Sequence, residues 1–285
     1  MKNAAAGRFS GRYVYITGGS RGIGQAVAEE MAAAGAHVLI FARNEERLCL
    51  AAGGIAAARR ETAQQVAWCS LDVTDPAAVT RVVSEQADRF GAPEILINSA
   101  GGAWPDYFGN ISAEQFERSF RLNVFGTRHM IAAALPFLPR PGGHIVNVAS
   151  VAGLIGVFGY TDYCAAKFAV LGFSEALRAE LAPEGVMVSV LCPPDTDTPG
   201  LAAENRTKPP ETAAIAGNAG TLAPREVARV LLRGMRREKF LIIPGWNARL
   251  SVLAKRLVPG LVTRIMDRAV TGVPRQHNRQ RRENP

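Results

Sequence analysis

The sequence predicts an α/β fold, a doubly wound parallel sheet with helices on both faces. Three observations carry that prediction. Short apolar runs alternate with longer helical stretches between residues 13 and 244. The runs are almost continuously apolar, as strands are when helices cover both faces of a sheet. The first run ends in a glycine-rich turn, "TGGSRGIG" at 17–24, which opens a helix. Regular alternation of β and α elements is satisfied by a parallel sheet between two helical layers.

The elements follow in order. "YVYITG" (13–18) is the first strand, and an Ala-rich helix runs from the turn to Gly35. "HVLIFA" (37–42) is the second strand, followed by a helix over 44–60. "VAWCSLDV" (66–73) is the third strand. "DPAAVTRVVSEQADRF" (75–90) reads as a helix with Asp75 as its N-cap and Pro76 at its first position. "EILINSA" (94–100) is the fourth strand, and a long helical region follows Ser112. "GHIVNVAS" (143–150), a helix over 160–182 and "VMVSVLCP" (186–193) come next. "PREVARVLLRGMRR" (224–237) is a helix and "KFLIIP" (239–244) the last strand. The organisation expected is one domain over 1–245 and a helical appendage over 246–285.

At 285 residues and 48% hydrophobic, the chain is long and apolar enough to bury a sizeable core. Cys49, Cys69, Cys164 and Cys192 lack metal-ligand spacing, and the four histidines are scattered, which argues against a metal site. No apolar h-region opens the chain and no run reaches about 18 apolar residues. A cytoplasmic protein with reduced cysteines is expected. The formal charge of +8 is concentrated. From Trp246 onward, Arg249, Lys255, Arg256, Arg264, Arg268, Arg275, Arg279, Arg281 and Arg282 face only Asp267 and Glu283, so this segment carries +7.

The glycine turn points to a dinucleotide. Gly18, Gly22 and Gly24 allow a tight backbone turn and close approach of a ligand. With Ser20, Arg21 and Ile23 between them, they lead into a helix start whose free N–H groups suit a pyrophosphate. The spacing, Gly-x3-Gly-x-Gly, departs from G-x-G-x-x-G, and a tight turn without a ligand would use the same residues. An acid after the second strand would mark NAD. Here Ala42-Arg43-Asn44 stands instead. Arg43, with Arg21 beside it, suits the 2′-phosphate of NADP(H). The alternative is a solvated Arg43 neutralised by Glu45 or Glu46. Asp72 is placed to meet the adenine, and Asn98, Ser99, Ala100 and Gly101 to line the ribose side.

A second set carries chemistry. Ser150 ends the fifth strand, and Tyr163 and Lys167 lie four apart on one helical face. A free tyrosine has a pKa of about 10, and a nearby ammonium lowers it. Lys167 is expected to do so while bonding the nicotinamide ribose. Ser150 would bond the substrate oxygen, and Asn123 would hold a water relay to Lys167.

"TGGSRGIG", "NSAG", Asn123, Ser150, "YCAAK" and the proline-led loop after the sixth strand resemble the short-chain dehydrogenase/reductase family over about residues 10–245. The resemblance implies a Rossmann-type seven-stranded parallel sheet and an Asn123-Ser150-Tyr163-Lys167 tetrad. Tyr163 would be the acid/base, Ser150 the carbonyl orienter, Lys167 the pKa modifier and Asn123 the relay anchor. It also implies nicotinamide contacts from Pro193, Thr196 and Thr198, and dimers or tetramers through the helices carrying Asn123 and Tyr163. Two departures stand: "NSAG" for "NNAG", and Pro193-Pro194 where the family has Pro-Gly.

The stretch "PPDTDTPGLAAENRTKPPET" (193–212) is similar to the matching loop of the 3-ketodihydrosphingosine reductase branch, as are "ARNEERL" and "GVFGYTDYCAAKFAVLGFSEAL". This resemblance implies NADPH-dependent reduction of 3-ketodihydrosphingosine to dihydrosphingosine. Another lipid, steroid or 3-oxoacyl ketone is the alternative substrate. Thr198-Pro199 reads as N-cap and first residue of a lid helix. Asp195, Asp197 and Glu204 are candidates to face the substrate ammonium, unless Asp197 only caps the lid helix. Trp104, Tyr107, Phe108, Leu154, Val157 and Phe158 are candidate apolar lining.

In the tail, Trp246, Leu250, Leu253 and Leu257 recur at helical spacing, and Leu261, Ile265, Met266 and Ala269 continue the stripe. Such a basic amphipathic segment either lies on an anionic membrane surface or packs on the body or a second subunit. Nucleic-acid binding is not expected, because the body offers no basic face or aromatic platform.

Overall fold

The computed structural model describes residues 7–216 and 220–273. Seven strands form one sheet: β1 (Tyr13–Thr17), β2 (His37–Ala42), β3 (Val66–Ser70), β4 (Ile95–Asn98), β5 (His144–Val148), β6 (Met187–Leu191) and β7 (Leu241–Ile242). Their order is β3-β2-β1-β4-β5-β6-β7, and every neighbouring pair is parallel. The helices are α1 (Gly22–Ala33), α2 (Glu45–Ala57), α3 (Pro76–Arg89), α4 (Ala113–Phe120), α5 (Gly126–Ala134), α6 (Thr161–Leu181), α7 (Pro199–Glu204), α8 (Pro210–Ala216), α9 (Pro224–Arg236), α10 (Trp246–Leu257) and α11 (Pro259–Thr271).

Period-two geometry sends successive strand residues to opposite faces. Val14 and Ile16 of β1 pack with Val27 and Met31 of α1 and with Val227 and Leu231 of α9. Tyr15, between them, packs on the other face with Phe41, Val79 of α3 and Met130 of α5. Both clusters are buried, so the strands read as continuous apolar runs. The chain winds from β1 out to β3, then returns to place β4 on the far side of β1. That reversal opens a crevice at the carboxyl ends of β1 and β4, where such sheets bind ligands.

Several strands end earlier than their apolar runs, each for a local reason. β3 stops at Ser70 because the Asp72 carboxylate accepts from the Thr74 amide at 2.9 Å and its hydroxyl at 2.8 Å, forming a side-chain-held turn. β4 stops at Asn98 because Thr17 Oγ1 accepts from the amides of both Ser99 and Ala100 at 3.1 Å. β6 stops before Pro193-Pro194, which have no N–H to continue a ladder. Asp75 caps α3 as its spacing indicates, accepting from the Ala77 and Ala78 amides at 3.0 Å.

The long helix after Ser112 is not uniform. A turn of π-helix, Arg121–Phe125, separates α4 from α5. At the other end, α11 folds back onto α8, so the tail is in contact with the segment that follows the lid helix. Among the described residues, no helix is long and apolar enough to cross a membrane. The expected basic end, with Arg275, Arg279, Arg281 and Arg282, lies outside the described residues.

Candidate active site

The glycine loop folds against itself and against the end of β4. Gly18 has φ +67°, and a Cβ there would meet Ser99 O at 2.7 Å and Ala100 N at 2.9 Å. A Cβ on Gly24 would strike the Gly18 carbonyl oxygen. Arg21 stands at the N-cap of α1 without a side-chain cap bond, and no acid occupies the first turn. The early N–H groups around Gly22, Ile23 and Gly24, just after Ser20, are left for an anion. Thr198 closes the same spot from above, since a Cβ on Gly22 would meet its Cγ2 at 3.1 Å. Loop and lid together form a cradle that fits a dinucleotide pyrophosphate.

At the adenosine end, Arg43 and Asp72 share an open cleft of about 320 Å³ with Ser70, Leu71, Ala78 and Arg81. The Arg43 side chain is 71% exposed, and its Nη1 lies 4.0 Å from Asp72 Oδ2. Among the described residues no ion pair joins it to Glu45 or Glu46. Asn44 instead caps α2, accepting from the Arg47 amide at 2.8 Å. Arg81 was not foreseen, because nothing local in α3 marks it as facing β3.

Asn98 departs from its expected place. Its side chain is 2% exposed and donates to Asn147 Oδ1 at 2.9 Å, tying β4 to β5 rather than lining the crevice. Ala100 and Gly101 do reach the crevice. Gly101 lets two side chains approach closely: a Cβ there would meet Asn123 Oδ1 at 2.8 Å and Lys167 Nζ at 3.4 Å. Asn123 lies in the π turn, a feature that recurs at functional sites. Its amide donates to the carbonyls of Gly102 and Ser119, both at 2.9 Å.

Lys167 is 4% exposed and donates to the Val148 carbonyl at 2.8 Å. Burial pushes its pKa down to about 8. Its Nζ stands 5.5 Å from the centroid of the Tyr163 ring. Ser150 Oγ accepts from the Ala152 amide at 3.1 Å, which fixes the hydroxyl at the end of β5. The expected lowering of the Tyr163 pKa is not observed. Burial raises it, the Glu204 charge adds to this, and Ser150 acts in the opposite direction. Tyr163 therefore stays protonated through neutral pH, the form that donates to a developing alkoxide.

Lys167 therefore titrates just above neutral pH. Its cation is present below pH 8 and lost as pH rises through that value. Ketone reduction measured as kcat/KM should fall above pH about 8, and Lys167→Arg, which stays charged, should lose that limb while keeping residual activity. A flat wild-type profile through this range would contradict the assignment.

The lid keeps only part of its expected chemistry. Thr198 caps α7, accepting from the Leu201 amide at 3.1 Å, with Pro199 first in the helix as expected. Thr196 is buried and its hydroxyl donates to the Pro194 carbonyl at 2.9 Å. The buried Pro193 carbonyl accepts from the Val151 amide at 3.0 Å. Asp197 is exposed, and Thr198 rather than Asp197 caps α7. Asp195 is paired with Lys208 at 3.3 Å. Glu204 accepts from the Tyr160 hydroxyl at 2.9 Å.

Where Thr161 and Cys164 open α6, an open groove of about 370 Å³ runs between Val157, Phe158, Ile215, Met266, Asp267 and Val270, mostly apolar but for Asp267. Val157 and Phe158 were expected as lining. Met266 and Val270 arrive from α11, about a hundred residues along the chain, and only the fold brings them here. Trp104 instead stacks under Arg118 at 4.1 Å, and Phe108 is 74% exposed.

Known proteins match this arrangement. The family model for short chain dehydrogenases matches residues 12–209. The 3-ketodihydrosphingosine reductase of Bos taurus is 38% identical over 225 residues, covering 78% of this chain and 68% of that protein. The 3-dehydrosphinganine reductase of Danio rerio is 36% identical over 228 residues, covering 79% and 69%. The 3-ketodihydrosphingosine reductase of Dictyostelium discoideum is 33% identical over 270 residues, covering 88% and 80%. A solved short-chain dehydrogenase/reductase from Burkholderia phymatum, in complex with NAD, superposes with a TM-score of 0.77 at 26% identity, covering 89% of this chain and 96% of that one. Because the match runs from β1 through the lid and takes in the glycine loop and the Tyr163 centre alike, the chain belongs to the short-chain dehydrogenase/reductase family of nicotinamide-dependent oxidoreductases.

Proposed function

We propose that this protein reduces 3-ketodihydrosphingosine, a long-chain 2-amino ketone, to dihydrosphingosine in sphingolipid biosynthesis, using NADPH. The carrying observation is that relatives from vertebrates and Dictyostelium named for this reaction align over most of the chain. The mostly apolar groove between α6, α8 and α11 suits a substrate with an alkyl chain. In this reading Tyr163 donates a proton to the carbonyl oxygen and Ser150 hydrogen-bonds that oxygen. Lys167 holds positive charge below the site, and Asn123 keeps Lys167 and Gly101 in register. A nicotinamide dinucleotide bound in the crevice supplies the hydride. Arg43 and Arg21 would hold its 2′-phosphate and Asp72 its adenine. Ala100, Gly101, Pro193, Thr196 and Thr198 would line the nicotinamide side.

The test is NADPH oxidation with 3-ketodihydrosphingosine beside a fatty 3-oxoacyl thioester and a steroid ketone. Turnover of the sphingoid ketone well above the other two is expected. Comparable or lower turnover of it would overturn the substrate.

The tail supports a place at the cytoplasmic face of a membrane. Trp246, Leu250, Leu253, Leu257, Leu261 and Ile265 of α10 and α11 are each 45–69% exposed. Arg249, Arg256, Arg264 and Arg268 lie exposed among them. Each cation near an anionic bilayer contributes about 1 kcal/mol. Vesicles containing phosphatidylserine should sediment the wild type, and the double variant Leu253→Glu/Leu257→Glu should stay in the supernatant. Equal sedimentation of both would remove the membrane role. Exposed Phe116, Phe125 and Phe168 around α4 and α6 fit a homodimer or homotetramer.

A further inference from the structure

Three acids accompany the lid, and their surroundings separate them. Asp197 faces solvent. Asp195 is already neutralised by Lys208, whose side chain is only 6% exposed. Glu204 has no cation within ion-pair distance among the described residues, and its one side-chain hydrogen bond comes from the Tyr160 hydroxyl at 2.9 Å. The ring of Tyr160 lies 5.7 Å from that of Tyr163, centroid to centroid. Glu204 is thus a half-buried carboxylate one aromatic ring away from the phenol that protonates the substrate.

Its position along α7 explains this placement. The helix begins at Thr198, packed over Gly22 of the cofactor loop. Six residues at about 1.5 Å rise carry the chain about 9 Å from the loop, to where Glu204 meets the Tyr160 hydroxyl. In a 2-amino ketone the carbon bearing the ammonium is bonded to the carbonyl carbon. When the carbonyl oxygen meets Tyr163 and Ser150, the ammonium must lie beside that pair. Lys208 and Lys167 act on Glu204 only from beyond ion-pair distance, and a half-buried carboxylate without a direct counter-ion is favoured by something positive arriving.

We propose that Glu204 is the counter-ion for the substrate ammonium and selects amino ketones over plain ketones at this site. The inference rests on the sphingoid reading above and names the residue that enforces it. Electrostatics agree with the geometry. The charge on Glu204 acts on both Tyr163 and Lys167, and it holds the Tyr163 phenol up. An ammonium set against Glu204 cancels that opposing field, so the correct substrate also eases proton donation by Tyr163. Asp195 does not substitute, because Lys208 occupies it.

The experiment compares kcat/KM for 3-ketodihydrosphingosine and for the same chain lacking the amine, in wild type, Glu204→Gln, Tyr160→Phe and Asp195→Asn. Glu204→Gln should lose about 30–100-fold on the amino ketone, mostly in KM, because the ammonium is present in ground and transition states alike. Its activity on the deamino ketone should hold or rise, because the field that opposes proton donation by Tyr163 is removed as well. Tyr160→Phe, which only loosens the carboxylate, should show a smaller selective loss and guards against misfolding of the first variant. Equal losses on both ketones, or a selective loss from Asp195→Asn alone, would overturn the assignment. A wild type that prefers the amino ketone while Glu204→Gln keeps that preference removes Glu204 alone. A wild type with no preference removes the substrate reading and this assignment together.

Discussion

Tyr163→Phe should lower kcat by about 10²–10⁴-fold while leaving NADPH affinity within about twofold. The change removes one hydroxyl and keeps the ring, so its packing beside Tyr160 and Lys167 persists. What is lost is the proton that neutralises the forming alkoxide. Burial and Glu204 hold that proton on Tyr163 at neutral pH, so the wild type meets its substrate in the donating form. Ser150 remains to bond the oxygen, which leaves a residual rate from positioning. Stopped-flow reduction measures the chemical step, and quenching of NADPH fluorescence measures binding. Full turnover in the variant would remove Tyr163 from the mechanism.

On the proposed NADPH reading, Arg43→Asp should reverse the cofactor preference. The guanidinium is exposed at the end of β2, its nearest acid partner is Asp72 at 4.0 Å, and it lies over a cleft open to solvent. A forked contact to a 2′-phosphate contributes about 1.5–3 kcal/mol, so its loss costs about 10–100-fold in kcat/KM for NADPH. A carboxylate at the same place repels the phosphate and bonds free ribose hydroxyls, so kcat/KM for NADH should rise. Steady-state rates with both cofactors give the ratio directly. An unchanged preference for NADPH would assign the 2′-phosphate elsewhere.

Much of the frame was legible because it depends on short-range pattern. Continuous apolar runs marked all seven strands, and Asp75-Pro76 and Thr198-Pro199 marked two helix starts that the structure reproduces. Strand ends were less legible. Apolar residues continue past Ser70 and Asn98, but side-chain oxygens of Asp72 and Thr17 take the amides that the ladder would need. The π turn at Asn123 left no sequence mark, since an extra residue in a helical turn alters no composition.

The site divides in the same way. Spacing alone placed Tyr163 and Lys167 on one helical face and the glycines in one turn. It could not tell that Asn98 would serve the sheet, or that Lys208 would claim Asp195 and leave Glu204 free beside Tyr160. It also could not tell that burial and the Glu204 charge would hold the Tyr163 phenol up. By itself, then, the sequence determined the alternation of elements, the glycine-rich turn and the shared helical face of Tyr163 and Lys167, because these follow from periods of two, four and a few residues along the chain. The tertiary structure alone decided that Lys208 pairs with Asp195 while Glu204 meets Tyr160, how protons are held there, and that α11 helps wall the groove. Those depend on residues that are distant in the chain and adjacent only once the sheet and lid have closed around them.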